Sequence, residues 1–118
     1  MGSVYKALHT DFNEFHALKV MAVELAKQKV FVKRFKLEAV SARRLQHPNV
    51  VRVEDVDETE DGQPFIVMEH IQGRNLSDLM TAGPLAVDRV CSLVRQIASA
   101  LDAAHSLDIV HRDIKPQN

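Results

Sequence analysis

The sequence predicts an α+β fold, in which a small strand-rich region with one helix is followed by a helical region. Short runs of alternating apolar and polar residues, with the strand period, occupy much of the first part of the chain. The second part ends in a long segment whose apolar residues recur at helical spacing. The pattern changes near Gln72-Gly73. We therefore expect two lobes with a seam that could hold a ligand.

The first part of the chain predicts a hairpin and then a helix. Val4 to Leu8 and Phe15 to Met21 are strand-like runs on either side of the polar turn Thr10 to Glu14, which is the order of a hairpin. Ala22 to Gln46 is rich in Ala, Lys, Glu and Leu and predicts one helix. Pro48 ends it, because proline keeps the residue before it out of helical backbone angles.

A second hairpin and two helices follow. Val50 to Val56 and Pro64 to Glu69 read as strands joined by an acidic turn that contains the hairpin signal Asp61-Gly62. Asn75 is placed to cap a short helix, with an aspartate three residues later. The last helix is predicted from Val87 to Leu107. Its apolar face is formed by Val90, Leu93, Val94, Ile97, Ala100, Leu101 and Ala104.

Composition excludes several classes of protein. A chain of 118 residues can bury one core, and 46% apolar with 26% charged residues is a globular balance. The net charge of -1 argues against nucleic acid or an anionic membrane as a partner. No apolar run approaches the ~20 residues of a membrane segment. The single cysteine, Cys91, which we expect in the core, fits a reducing, cytoplasmic location.

The last eight residues, HRDIKPQN, carry the strongest chemical signal. The Asp113 carboxylate can accept a proton from a hydroxyl, and the Asn118 amide oxygen can bind Mg²⁺. Lys115 can neutralise charge on a transferring phosphoryl group. The string closely resembles the catalytic loop of protein kinases, H-R-D-x-x-x-x-N, and a lysine two residues after the aspartate is the serine/threonine form.

Lys19 and Glu38 form the second signal. Glu38 falls within a helical apolar stripe, where a carboxylate is costly unless it is paired, and Lys19 in ALKV is the natural partner. Phe31, Phe35, Ala42 and Leu45 make up that stripe. The pair resembles the kinase lysine of the third strand and the glutamate of helix C. The resemblance implies that Lys19 holds the inner phosphates of ATP and that Glu38 holds Lys19.

Two further segments resemble parts of a kinase nucleotide site. MGSVYKA resembles the end of the glycine-rich loop, with Gly2 as its last glycine, so Val4 and Ala17 would roof the adenine ring. FIVMEHIQGRNL resembles the last small-lobe strand and the hinge. Met68 would then be the gatekeeper, and Glu69 to Ile71 would offer backbone groups to adenine.

Taken together, the chain resembles a bacterial-type serine/threonine protein kinase domain that stops at the catalytic loop. The resemblance implies an incomplete kinase-like fold, with residues 1–72 as the small lobe without its first strand and 73–118 as the start of the large lobe. It implies ATP and Mg²⁺ as cofactors and a protein substrate with serine or threonine. The chain contains no Asp-Phe-Gly motif, so we expect negligible activity from it alone. The uncovered last helix predicts self-association.

Two alternatives stay open at this point. The first is a non-catalytic kinase-like fragment that acts as an ATP-binding or protein-interaction module. The second is a sugar or small-molecule phosphotransferase of kinase-like fold, although such relatives usually lack the lysine and proline of HRDIKPQN. ATP affinity with and without Mg²⁺, together with the oligomeric state, would separate the first alternative from a kinase.

Overall fold

The computed structural model describes residues 2–118 as two compact units. The first unit contains the residues up to Gln46 together with Val51–Ile71. The second contains His47–Val50 together with Gln72–Asn118. The chain therefore leaves the first unit after Gln46, returns to it at Val51 and leaves it again after Ile71.

A four-stranded antiparallel sheet forms the frame of the first unit. Its strands are β1 (Ser3–His9), β2 (Glu14–Val20), β3 (Val53–Glu58) and β4 (Pro64–Glu69), in the spatial order β1-β2-β4-β3. The predicted antiparallel sheet is confirmed, although β3 begins three residues later than expected, after a turn in which the Val50 N–H donates to the His47 carbonyl at 3.0 Å.

Residues with positive φ close both hairpins. Asn13, at φ 54°, ends the first turn, and its N–H donates to the His9 carbonyl at 2.8 Å. Asparagine tolerates this left-handed region better than most residues. Gly62 has φ 75° in the second turn, where its N–H donates to the Thr59 carbonyl at 2.8 Å. The Asp61-Gly62 signal thus marks the turn between β3 and β4.

The predicted single helix over residues 22–46 is wrong, because the structure contains two helices there. α1 covers Val23–Ala26 and α2 covers Lys29–Arg44. Between them Gln28 has an extended backbone, with φ -111° and ψ 107°, and its carbonyl accepts the N–H of Phe31 at 3.0 Å. Both residues at the break, Lys27 and Gln28, favour helix, so propensity alone predicts no interruption.

The core of the first unit lies between α2 and one face of the sheet. It consists of Met21, Phe35, Ala39, Val53 and Ile66, all of which are buried. Phe35 and Ala39 lie one turn apart on α2, so a single face of the helix packs against the sheet. This packing determines which α2 residues lie near β2.

The second unit contains the helices α3 (Leu76–Met80) and α4 (Val87–His105) and the loop that ends at Asn118. The predicted cap is present, since Asn75 Oδ1 accepts the N–H of Asp78 at 2.8 Å. Along α4 only Ala104 is buried, and Cys91 is exposed, so the expectation of a core cysteine is wrong. None of the helices within residues 2–118 combines the length and apolar character needed to cross a bilayer.

Candidate functional site

Four of the predicted nucleotide-site residues share one face of the sheet. In the register, Val4 lies opposite Lys19, and Ala17 lies opposite Met68. Because side chains alternate along a strand, Ala17 and Lys19 point to the same side, and their opposite partners join them. The core residue Ile66 is the β4 partner of Lys19, so this face is the one that packs against α2.

The predicted pair of Lys19 and Glu38 is formed. Lys19 Nζ lies 3.8 Å from Glu38 Oε1, with the lysine on β2 and the glutamate on α2. The predicted position of Glu38 within an apolar stripe is wrong. The Glu38 side chain is 66% exposed, so it is not a desolvated carboxylate in an apolar stripe, and Ala39 is the residue that enters the core. The long distance and the exposure make this a weak ion pair.

A cavity of about 320 Å³ adjoins this pair within the first unit. Its lining brings together Gly2, Lys19 and Glu38 with four apolar residues and one further cation. The apolar residues are Met21, Leu25, Phe31 and Phe35, and the cation is Arg34. Arg34 was not selected by sequence analysis. Its position one turn before Glu38 on α2 was the signal that could have identified it.

Gly2 is required by its contacts rather than by its backbone angles. A Cβ atom built on Gly2 would overlap the carbonyl group of Val20. Only glycine permits this approach of the two backbone segments. Gly2 also lines the cavity that contains Lys19.

Of two predicted hinge residues, Glu69 at the end of β4 has an engaged backbone donor, and Ile71 after it has a free one. The Glu69 N–H donates to the Arg52 carbonyl at 3.0 Å, and the Arg52 N–H donates to Glu69 Oε1 at 2.6 Å. Among residues 2–118, the Ile71 N–H makes no hydrogen bond, and its side chain is 61% exposed. Of the two residues, Ile71 is therefore the one with a backbone donor available to a ligand.

The second unit holds the predicted catalytic residues in one short loop. Lys115 Nζ donates to Asp113 Oδ2 at 2.7 Å. Asn118 Nδ2 donates to the Asp113 carbonyl at 2.6 Å and approaches Asp113 Oδ2 at 3.3 Å. The three side chains that HRDIKPQN places within six residues are thus connected directly.

These contacts lower the pKa of the aspartate. The hydrogen bond from Lys115 holds the pKa of Asp113 below its ordinary value, and the hydrogen bond from Asn118 acts in the same direction. Asp113 is therefore a carboxylate at neutral pH and can accept a proton. Arg112 precedes it with φ 62°, a left-handed backbone that is uncommon outside glycine and is frequent at functional sites.

Helix α3 anchors the loop. The Ser77 N–H, in the first turn of α3, donates to the Pro116 carbonyl at 2.9 Å, and Gln117 Nε2 donates to Ser77 Oγ at 3.4 Å. Free N–H groups at a helix start commonly bind such acceptors. Ser77 is a supporting residue that sequence analysis missed, because a contact across 39 residues of chain leaves no local pattern.

The fold is that of a protein kinase domain. The family model for the protein kinase domain matches residues 1–118. The chain belongs to the protein kinase domain family, and the resemblance inferred from its motifs is confirmed.

Similar proteins agree with this assignment. The chain is 46% identical over 119 residues to serine/threonine-protein kinase PknH of Mycobacterium bovis and covers 100% of itself and 20% of that protein. It is 40% identical to serine/threonine-protein kinase pkn3 of Myxococcus xanthus, of which it covers 22%. The chain thus spans about a fifth of the curated relatives it matches.

Solved kinase structures confirm the fold class. The crystal structure of the Mycobacterium tuberculosis PknI kinase domain is 36% identical, with a TM-score of 0.83, over 100% of this chain and 48% of that one. The structure of Rad53 in complex with AMP-PNP is 30% identical, with a TM-score of 0.83, over 99% of this chain and 30% of that one.

Proposed function

We propose that this chain is part of a serine/threonine protein kinase that transfers the γ-phosphate of ATP to a serine or threonine hydroxyl of a protein. The observation that carries the proposal is the direct linkage of Asp113, Lys115 and Asn118 in the loop. The kinase family in general uses ATP and Mg²⁺, and its serine/threonine members phosphorylate proteins. The first unit would be the small lobe, and the second the start of the large lobe.

Asp113 is the proposed base. Its carboxylate is exposed and is held in the charged form by Lys115, so it can orient a substrate hydroxyl and take its proton as the oxygen attacks phosphorus. Lys115 lies 2.7 Å from this carboxylate and is 42% exposed, so it can turn from Asp113 to a phosphoryl oxygen without leaving a buried charge unpaired.

Asn118 is the proposed metal ligand. Its amide nitrogen donates to Asp113, and none of the hydrogen bonds among residues 2–118 uses its oxygen. This leaves Oδ1 available for a hard cation. Mg²⁺ would neutralise charge on the phosphates of ATP. Its other ligands would be phosphate oxygens of ATP and water, which Mg²⁺ usually retains.

Lys19 is the proposed ligand of the inner phosphates, and Glu38 is its positioning residue. The 3.8 Å contact keeps the ammonium over the cavity while Glu38 stays exposed. Gly2 would bring backbone close to the phosphates, Val4 and Ala17 would cover the adenine ring, and Met68 would lie behind it. Glu69 and Ile71 would offer backbone groups to the adenine edge. A cytoplasmic location, where ATP is available, belongs to the same proposal.

A chimera tests the proposal. Residues 1–118 would replace the matching segment of PknH, to which they align without loss of any part of this chain. We expect Mg²⁺-dependent transfer of labelled phosphate from ATP to a serine/threonine protein substrate, within about tenfold of the parent kinase. Circular dichroism and a thermal melt would establish that the chimera is folded. A folded chimera without transfer would contradict the proposal.

We also propose that the isolated chain associates with a second copy through α4. A groove of about 490 Å³ between α3 and α4 is lined almost wholly by apolar residues, and Val94 in its wall is 57% exposed. Sedimentation should show concentration-dependent association that Val94→Asp reduces. Ala98→Asp, on the same helix outside the groove, is the matched control. A monomeric chain at high concentration would exclude the association.

A further inference from the structure

Half of the residues that line the cavity beside Lys19 are apolar, and the binding of a polyphosphate does not explain them. Four of its eight lining residues are large apolar side chains, Met21, Leu25, Phe31 and Phe35. Phosphate oxygens need hydrogen-bond donors, and apolar walls offer none. The volume of about 320 Å³ lies in the range of small-molecule sites, which are mostly apolar with a few placed polar groups.

The lining of the cavity holds more positive than negative side chains. Lys19 and Arg34 are cations, whereas Glu38 is the only carboxylate in the lining. Glu38 is within ion-pair distance of Lys19, and among residues 2–118 no carboxylate lies within that distance of Arg34. An arginine four residues before a glutamate is also the less favourable order for a pair along a helix. The guanidinium is therefore available to an anion.

We propose that this cavity binds a small amphiphilic anion, namely an aromatic or branched aliphatic carboxylate. The apolar body would lie against Phe31 and Phe35, and the carboxylate would accept hydrogen bonds from Arg34, whose planar fork suits two oxygens.

Occupation of the cavity would oppose nucleotide binding. Lys19 lines the same cavity, so a bound carboxylate would compete with Glu38 and with phosphates for its ammonium. This last step rests on the proposed function, whereas the binding of the anion does not. Lys19 can be paired with Glu38 or with the bound carboxylate. The ligand shifts the equilibrium between these two arrangements only by the difference in its affinity for them.

The test uses 1-naphthoate as the probe and 1-naphthylmethanol as its neutral counterpart, titrated into the ¹⁵N-labelled 118-residue chain and followed by NMR. We expect a dissociation constant on the order of 1 mM for naphthoate, as for ligands of this size. Shifts should centre on Phe31, Arg34 and Phe35. Arg34→Gln should weaken naphthoate by about tenfold and leave the alcohol unchanged, since the charge-assisted hydrogen bonds to the carboxylate are lost.

Lys33→Gln is the matched control, because Lys33 is the exposed neighbour of Arg34 and lies outside the cavity lining. Equal binding of naphthoate by the Arg34→Gln and Lys33→Gln chains, or shifts confined to other surfaces, would overturn the proposal. Titration with ATP in the same samples distinguishes the proposed anion site from the proposed nucleotide site. ATP binding without naphthoate binding refutes the anion site alone, and naphthoate binding without ATP binding supports it while contradicting the nucleotide site.

Discussion

The two units hold their chemically important side chains in different ways. In the second unit, Asp113, Lys115 and Asn118 lie within six residues. Asp113 accepts from Lys115 at 2.7 Å through its carboxylate, and from Asn118 at 2.6 Å through its backbone carbonyl and 3.3 Å through its carboxylate. In the first unit, Lys19 and Glu38 come from different elements, and their charged atoms are 3.8 Å apart. A local loop can hold its geometry through short-range hydrogen bonds, whereas the Lys19–Glu38 contact depends on where α2 packs on the sheet. The arrangement around Asp113 is thus intrinsic to one short segment, whereas the distance between Lys19 and Glu38 is adjustable.

The largest effect is expected from a substitution of Asp113, the proposed general base in the loop. In the PknH chimera, Asp113→Asn should lower kcat by roughly a thousandfold, because the amide cannot accept the substrate proton. Asp108→Asn is the matched control. It makes the same chemical change in a residue with φ 57°, a conformation that asparagine tolerates. Phosphate transfer assays on both variants give the comparison. Similar losses in both would show that folding of the segment, and not Asp113, limits activity.

A smaller effect concerns the lysine that keeps Asp113 charged. Because Lys115 lowers the pKa of Asp113, Lys115→Gln should raise that pKa toward its ordinary value. The pair contributes stability above the ordinary carboxyl range and loses it as the pH falls through the lowered pKa. In the chimera, the acid limb of the rate profile should therefore move to higher pH in the variant.

NMR titration of the Asp113 carboxyl in the 118-residue chain measures this shift directly. Lys33→Gln serves as a control for the loss of one positive charge elsewhere in the chain. If the Asp113 carboxyl titrates identically in the Lys115→Gln and unaltered chains, the 2.7 Å contact does not persist in solution. The contact between Lys115 and Asp113 would then not be intrinsic to the loop.

The same contrast explains what could be predicted from the sequence. HRDIKPQN, the Asn75 cap and the Asp61-Gly62 turn are local patterns, and the structure contains each as a local contact. The break at Gln28 has no local signal, because the residues around it favour helix. A run of residues that suits a helix does not reveal where tertiary packing requires it to end.

The exposure of individual side chains was the least predictable feature. Helical periodicity placed Glu38 in an apolar stripe, but the face of α2 that packs on the sheet is centred on Phe35 and Ala39. A rotation of the helix by one residue is enough to move a side chain between core and solvent. Arg34 lies one turn before Glu38, and this spacing places the two residues on one side of α2, but the sequence alone does not show that this side borders a cavity.

The smallest effect is expected for the contact between Lys19 and Glu38. A double-mutant cycle with Lys19→Met and Glu38→Gln, measured by chemical denaturation of the 118-residue chain, should give a coupling free energy below about 0.5 kcal/mol. The reference cycle uses Lys36 and Glu58, which are 2.6 Å apart, and it should give the larger coupling. The order follows from the shorter distance and from the lower exposure of the glutamate, 44% for Glu58 against 66% for Glu38.

The same double-mutant cycle, repeated with saturating ATP, gives a further prediction. If Lys19 holds phosphates with Glu38 as its positioning residue, the Lys19–Glu38 coupling should rise when ATP is bound, whereas the Lys36–Glu58 coupling should stay unchanged. A Lys19–Glu38 coupling that already exceeds the Lys36–Glu58 value without nucleotide would mean that α2 holds the pair closer in solution than 3.8 Å. The first unit would then be as preorganised as the loop, and the contrast between an intrinsic and an adjustable arrangement would fail.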